Sequence, residues 1–164
     1  MENGNSYRHI LKWGDKHEEG VSHHMAEVIK EKFDLSDADF KGKHLPGTEP
    51  VKLEKPSMLK PVQVDFFRSV SGAENILTDD MSRARFSCGK FYGELLDLRL
   101  GLVPDPPDAV VAPRTHEEVE KIISFCSGEG IAVVPAGGLS SVTGAVRAPA
   151  GGIALDLTKH LNRV

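Results

Sequence analysis

The sequence of 164 residues lacks a basic excess, is poor in aromatic residues and contains no long apolar run. Its net charge is −4, whereas nucleic-acid binding requires a basic surface. Aromatic residues, at 6%, are too scarce to suggest a base-stacking platform. No apolar run approaches the roughly 20 residues that span a bilayer, and the polar N-terminus lacks the apolar core of a signal peptide. We therefore expect a cytoplasmic protein with no nucleic-acid partner and no transmembrane segment.

Cysteine and histidine are also too few or too scattered to indicate a disulfide framework or a metal site. The two cysteines are not in a C-x-x-C spacing. Cys126 falls on the apolar face of a predicted helix, which favours burial. For Cys88, burial and a reactive thiol both stay open, although no neighbouring residue would activate it. Of the seven histidines only His23 and His24 are adjacent, and adjacent positions on a helix do not face the same way.

What is present is the composition of a folded chain with abundant loops. Hydrophobic residues make up 40%, charged residues 27%, and there are 16 glycines and 10 prolines. In a first zone, residues 1–41, the apolar spacing predicts a helix over 22–33, followed by a short helix or a turn at 36–40. A second zone, 42–62, holds four prolines and is predicted to be extended or irregular, as a strap on a domain or as a linker.

The third zone, from residue 64 onward, has the pattern of a small parallel sheet. A helix is predicted over 94–100, with prolines ending it. Three short apolar runs predict buried strands, at 109–112, 131–134 and 153–157.

Between the first two strands the sequence predicts a capped helix. Thr115 and Glu118 form a capping-box pattern, and Gly128 or Gly130 supplies the end. Four apolar residues share one face of this helix: Val119, Ile122, Ile123 and Cys126.

Strand, helix and strand at this spacing predict a right-handed βαβ unit with parallel strands. The fold class expected is α+β, a small parallel βαβ-type subdomain preceded by helices and a proline-rich strap. We divide the chain into an N-terminal helical and strap region, 1–62, and a second unit, 63–164. We expect an exposed strand edge near 153–157, which would favour self-association. We also expect the start of the capped helix to lie at the far end of the unit from the loop that follows the second strand.

That loop contains the candidate binding residues. Its glycine pair lets a ligand approach the backbone, its amides can form an anion-binding nest, and its hydroxyls add donors. This combination suits a diphosphate, although a plain glycine-serine turn between two strands is the alternative. Neither a G-x-x-x-x-G-K-[ST] loop nor G-x-G-x-x-G is present. The candidate residues are Pro135, Ala136, Gly137, Gly138, Leu139, Ser140, Ser141, Val142 and Thr143.

The order of motifs over 107–164 resembles the FAD-binding module of the vanillyl-alcohol-oxidase / p-cresol-methylhydroxylase type. The motifs are PDAVVAPR at 107–114, VVPAGG at 133–138 and LDLTKHLNRV at 155–164. The resemblance implies FAD as cofactor, with its diphosphate in the candidate loop. Family members commonly have a third glycine where this chain has Leu139, and a leucine there would cost about 1 kcal/mol if the position needs a positive φ. No histidine occupies the family's usual flavin-linking position, so non-covalent binding is expected.

Shorter blocks at 8–14, 82–89 and 96–101 are similar to alkyldihydroxyacetonephosphate synthases, although Trp13 in the first block is equally explained as a core aromatic residue. This resemblance implies exchange of an acyl group for a fatty alcohol on acyl-dihydroxyacetone phosphate. The alternatives are an FAD-dependent 2-hydroxy-acid (lactate or glycolate) dehydrogenase and a non-catalytic nucleotide-binding or interaction module.

Family enzymes run to several hundred residues, so we expect a truncated FAD-binding domain without the substrate-binding cap. No catalytic residue is assigned, and whether the chain itself is an enzyme stays open. We expect a small-molecule substrate only in a full-length context, with no turnover and at best weak FAD binding by the chain alone.

Overall fold

The structure, a computed structural model, describes residues 4–11, 21–39 and 47–162. Trp13, Phe40, Pro46, Arg163 and Val164, which entered the sequence analysis, lie outside the described residues. The elements are α1 (Tyr7–Leu11), α2 (His23–Phe33), α3 (Pro61–Ser71), a 3-10 turn (Ala73–Asn75), β1 (Ile76–Leu77), α4 (Asp80–Arg85), α5 (Tyr92–Arg99), β2 (Ala109–Val111), α6 (His116–Glu129), β3 (Val133–Ala136) and β4 (Ile153–Asp156).

The sheet has four strands in the order β1-β2-β4-β3. Strand β4 is parallel to both of its neighbours, β2 and β3, while β1 pairs with β2 in the antiparallel direction. The predicted α+β class with a small parallel sheet is confirmed. Strands β2 and β3 are parallel as expected, but β4 lies between them.

The expectation of an exposed edge at 153–157 is wrong, because β4 is the central strand. All four of its residues are buried; each is paired with β3, and the first three are also paired with β2. The edge strands of the described sheet are β1 and β3. Strand β3 is only partly buried, and Pro135 within it is exposed.

Strand β3 begins two residues later than the apolar run 131–134 predicts. The N–H of Ile131 donates a hydrogen bond of 2.9 Å to the carbonyl of Cys126 and so completes the end of α6. The last helical residue is Glu129, and Gly130 is the C-cap, with a left-handed φ of 67°. Of the two glycines predicted to end the helix, Gly130 is therefore the one that does so.

Helix α6 has the predicted N-cap but only half of the predicted capping box. The Thr115 hydroxyl accepts the N–H of Glu118 at 3.3 Å. The Glu118 carboxylate does not bond back to the cap residue. It accepts the N–H of Arg114 at 2.8 Å and the guanidinium of the same residue at 2.9 Å, because that guanidinium offers it a charged donor.

The main core lies between the sheet, α6 and α3, a helix that the sequence analysis did not predict. Ile122 and Cys126 on α6 are buried as expected, whereas Ile123 is 42% exposed, so its assignment to the buried face is wrong. Phe66 on α3 stacks on Phe125 at a centroid distance of 3.7 Å, which shows that α3 covers a different part of α6 from the face expected. Pro61 is the first residue of α3, so the end of the zone predicted to be irregular is helical.

A second core cluster joins the N-terminal part of the chain to α4 and α5. Its buried members are Tyr7, Ile10, Val51, Ala84, Cys88 and Leu98. Residues 51–60 form no helix or strand, as predicted, and they pack as a strap: the N–H of Leu53 donates to Asp80 and the N–H of Met58 to Asp108. The division at residue 62 falls at the start of α3 and stays a prediction.

Helix α2 is confirmed, with Ser22 as its N-cap, but none of its residues is buried. Met25 and Phe33, on its apolar face, are 50% and 70% exposed. Residues 37–39, which follow this helix, form a turn. Of the short helix and the turn left open for this segment, the turn is therefore correct.

Candidate functional site

The carboxyl ends of the three parallel strands meet at one edge of the sheet. Because the register pairs Val111 with Leu155 and Ala136 with Asp156, the segments that follow β2, β3 and β4 all leave from this edge. In open parallel sheets this edge is where ligands bind. The start of α6 follows β2 here, on the same edge as the loop after β3. The expectation that these two features lie at opposite ends of the unit is therefore wrong.

The loop after β3 presents a row of main-chain amides without partners. In the described part of the chain, no acceptor takes the N–H groups of Gly137, Gly138, Leu139 or Ser140. Both glycines and Ser140 are exposed. Four consecutive unpaired amides at the end of a strand provide the donors of an anion-binding nest.

The glycine pair is not required by the packing of the chain. A Cβ added to Gly137 or Gly138 would meet nothing within 4 Å, and neither residue has a positive φ. The space beside the amides is therefore open to a group that approaches the backbone closely, as a phosphate does.

Leu139 stands where members of the resembled family commonly have a glycine, and its backbone adopts the left-handed conformation. Its φ is 53°, and Asp34 is the only other non-glycine residue with a positive φ in the described ranges. The Leu139 side chain is partly buried against the cluster that contains Phe86 and Ala136. A left-handed residue between right-handed or extended neighbours is the backbone pattern that turns successive amides toward one side.

Ser141 organises the next part of the loop. Its hydroxyl accepts the N–H of Thr143 at 3.3 Å and that of Ala145 at 3.1 Å, and it lies 3.4 Å from the Thr143 hydroxyl. Its carbonyl oxygen accepts the N–H of Lys90 at 2.7 Å. The Ser141 hydroxyl therefore stabilises the loop itself, and the Ser141 carbonyl ties the loop to Lys90.

The remaining candidate residues have different surroundings. Pro135 and Ala136 belong to β3, and the Ala136 side chain is 1% exposed and faces the core. Val142 and Thr143 are exposed. The structure thus brings the glycines, Leu139 and Ser140 together as the amide row, with Ser141 as its support.

The long connection from β3 to β4 is held in place beyond the amide row. The guanidinium of Arg147 lies 2.6 Å from the carboxylate of Asp105, and the N–H of Ala148 donates to the Asp105 carbonyl at 3.2 Å. The N–H of Gly152 donates to Asp108 at 2.7 Å. The sequence analysis missed Lys90, Asp105 and Asp108 as supports, because each acts on the loop from a distant part of the chain. The only signal was that Asp108 lies in the motif at 107–114.

Neither cysteine has the surroundings of a reactive thiol. Cys88 and Cys126 are both buried and free. Burial raises the pKa of each thiol to about 11, which disfavours the thiolate. Residues 4–11, 21–39 and 47–162 contain no cluster of three or more histidine, cysteine or acidic side chains that could hold a metal ion.

Comparison with protein families identifies the class of domain to which residues 107–164 belong. The family of FAD binding domains matches residues 107–164, which include β2, α6, β3, β4 and the amide row. This match shows that residues 107–164 form an FAD-binding domain, and that the cofactor of this domain is FAD. In the described part of the chain, no helix has the length and apolar character needed to cross a membrane.

Two curated relatives and one solved structure show which flavoproteins this chain is similar to. The chain is 33% identical over 126 residues to the alkyldihydroxyacetonephosphate synthase of Trypanosoma brucei brucei, covering 75% of this chain and 21% of the relative. It is 44% identical over 52 residues to the mitochondrial D-lactate dehydrogenase [cytochrome] of Arabidopsis thaliana, covering 32% of this chain and 9% of the relative. A solved alkyldihydroxyacetonephosphate synthase superposes with a TM-score of 0.61 at 25% identity, covering 63% of this chain and 20% of that one. The chain therefore spans about a fifth or less of the length of these relatives.

Proposed function

We propose that the loop after β3 is the diphosphate cradle of a flavoenzyme. The observation that carries this proposal is the row of unpaired amides from Gly137 to Ser140, with open space beside both glycines. A diphosphate needs many donors and little side-chain bulk, and this row offers both. Bound FAD would supply the redox or group-transfer chemistry, while the residues of this chain bind and orient its diphosphate.

For the whole enzyme we propose an alkyldihydroxyacetonephosphate synthase-like activity, in which a fatty alcohol replaces the acyl group of acyl-dihydroxyacetone phosphate. The support is the extent of the similarity. The synthase match covers 126 residues, so it must extend well outside residues 107–164, where the FAD-binding family matches. A shared flavin module alone would not produce similarity over the preceding helices and strap.

The second candidate is an FAD-dependent dehydrogenase of 2-hydroxy acids. The 44% identity to the plant D-lactate dehydrogenase favours it, although that match covers only 52 residues. The two reactions differ in electron balance. A 2-hydroxy acid loses two electrons and becomes a 2-oxo acid, whereas acyl-to-alkyl exchange has no net redox change. With the flavin-loaded, full-length enzyme, bleaching of the flavin absorbance by lactate or glycolate under anaerobic conditions would favour the dehydrogenase and contradict the synthase proposal.

The cradle is tested by the substitution Gly138→Val. Since a side chain at Gly138 meets nothing in the chain, the variant should fold with wild-type stability. Its branched side chain would occupy the space that the diphosphate needs, so FAD retention should be lost. Ala145→Val is the matched control, because it adds bulk at an exposed position of the same loop outside the amide row.

The measurement is a fluorescence titration with FAD of the 164-residue chain and of the full-length protein after removal of its flavin. We expect weak binding by the chain alone, since an exposed row of amides contacts the diphosphate and encloses little else of the ligand. Equal FAD affinity of the wild type and Gly138→Val in both settings would remove this loop from the site.

A further inference from the structure

We infer that the Gly89–Lys90 segment positions the amide row for FAD, with Gly89 as the residue that permits the contact. This inference rests on the proposed cradle. The segment lies between α4 and α5, far along the chain from the loop, and the Lys90 ammonium donates to the Ile10 carbonyl at 3.0 Å. Their role follows from three contacts, each of which involves the main chain.

The first contact is the hydrogen bond from Lys90 to the loop. The main-chain N–H of Lys90 donates to the carbonyl oxygen of Ser141 at 2.7 Å. Ser141 is the residue immediately after the row of unpaired amides, and its hydroxyl holds the N–H groups of Thr143 and Ala145. The position of Ser141 therefore fixes where the row ends and how the following turn begins.

The second contact explains why residue 89 is a glycine. A Cβ at this position would overlap the carbonyl oxygen of Ser141 and lie 2.9 Å from its carbonyl carbon. Gly89 does not have a positive φ, so its backbone conformation alone would accept any residue. The absence of a side chain is needed only because the Ser141 backbone packs directly against it.

The third contact holds the segment from the opposite side. The N–H of Gly89 donates to the carboxylate of Glu94 at 3.2 Å, in the first turn of α5. Glu94 is 6% exposed, and in the described structure its second carboxylate oxygen is buried without a hydrogen-bond partner. Through this bond, a buried carboxylate of α5 anchors the segment to the second core cluster.

These contacts fix one end of the amide row, and Leu139 fixes its middle through its packing against the core. A shift of Ser141 would therefore move the end of the row and change where its amide donors lie relative to a bound diphosphate.

The test compares Gly89→Ala with Gly128→Ala. Both replace a glycine whose φ is not positive, but an added Cβ at Gly128 meets nothing within 4 Å. The first readout is hydrogen–deuterium exchange in the FAD-free chain. Gly89→Ala should accelerate exchange of the Lys90, Thr143 and Ala145 amides, while Gly128→Ala should leave them unchanged. The second readout is the FAD dissociation constant, which should rise at least about tenfold in Gly89→Ala and stay within about twofold in Gly128→Ala.

A second variant covers the case in which Gly89→Ala does not fold. Glu94→Ala removes the acceptor of the Gly89 N–H without adding bulk against the loop, so it should weaken FAD binding severalfold and accelerate exchange of the Gly89 and Lys90 amides. Unchanged FAD affinity in whichever of these variants folds would overturn the inference. The result for Gly138→Val separates the two proposals. If that variant binds FAD normally, the proposed cradle is wrong. If Gly138→Val loses FAD but the Gly89 and Glu94 variants bind it normally, the cradle is supported and the positioning role is wrong.

Discussion

Asn75 and Lys159 are joined by a hydrogen bond of 2.7 Å from the lysine ammonium to the amide oxygen, and this contact ties the segment after β4 to the turn before β1. The same amide oxygen lies 2.9 Å from the imidazole of His160. Asn75 is 2% exposed, and its amide nitrogen donates to the carbonyl of Ser71. Asn75 is therefore a buried residue beside β1, and it lies where the carboxyl ends of the parallel strands meet, as the amide row does.

The left-handed backbone at Leu139 leads to a paired prediction. Leu139→Gly removes the strain but also the apolar contacts, so its stability should stay within about 1 kcal/mol of the wild type and its FAD affinity within about threefold. Leu139→Ile keeps the volume but adds a β-branch, which a φ of 53° strongly disfavours, so it should be less stable by about 1–2 kcal/mol and bind FAD more weakly. Urea unfolding and FAD titration of the three proteins measure both effects. Equal behaviour of the isoleucine and glycine variants would show that the conformation at this position is not required.

The N-cap of α6 should matter more for stability than the N-cap of α2. Thr115→Ala removes the acceptor of the Glu118 N–H and should lower the free energy of unfolding by about 1 kcal/mol. Ser22→Ala removes the equivalent acceptor for Met25, but no residue of α2 is buried, so this helix can fray without opening the core. Chemical denaturation of the FAD-free chain should therefore show a clear loss for Thr115→Ala and little change for Ser22→Ala.

The ion pair between Arg114 and Glu118 predicts a stability contribution that depends on pH. Burial works against ionisation of Glu118, but the hydrogen bonds and charge of Arg114 outweigh it and lower the pKa of this carboxyl below its usual 4.5. A lowered pKa in the folded state means that the ionised form adds stability above pH 4.5, and that this contribution disappears as the pH falls through the folded-state pKa.

Glu118→Gln should accordingly be less stable than the wild type by about 1 kcal/mol at pH 7, and the two proteins should converge as the pH falls through the lowered folded-state pKa of Glu118. Glu120→Gln, at an exposed position of the same helix, serves as control and should follow the wild type at every pH. Thermal unfolding across this range tests the effect. A difference between Glu118→Gln and the wild type that persists unchanged into acid would mean that the carboxylate charge is not what stabilises this turn.

The local features of the fold could be predicted from the sequence because they are encoded locally. The capped helix α6, its end at Gly130 and the three parallel strands each leave a pattern within a few residues. The candidate loop was recognised for the same reason, since its glycines and hydroxyls are consecutive.

Features that depend on distant partners could not be predicted. Helix α3 follows a segment with several prolines, and only its packing against α6 shows why Pro61 begins a helix rather than continuing the strap. Strand β1 has two residues, too few for a periodic pattern. The central place of β4 and the contact between Gly89 and Ser141 arise from tertiary pairing, which a linear pattern does not contain.

The position of β4 in the middle of the sheet has a consequence for synthesis of the protein on the ribosome. Strands β2 and β3 emerge before it but have no hydrogen bonds to each other, so the parallel sheet cannot assemble until Asp156 has left the exit tunnel. During that interval the apolar faces of both strands and of α6 are unsatisfied, which is the state that chaperones recognise in nascent chains. The last of the four strands to be translated thus joins β2 and β3 into one sheet.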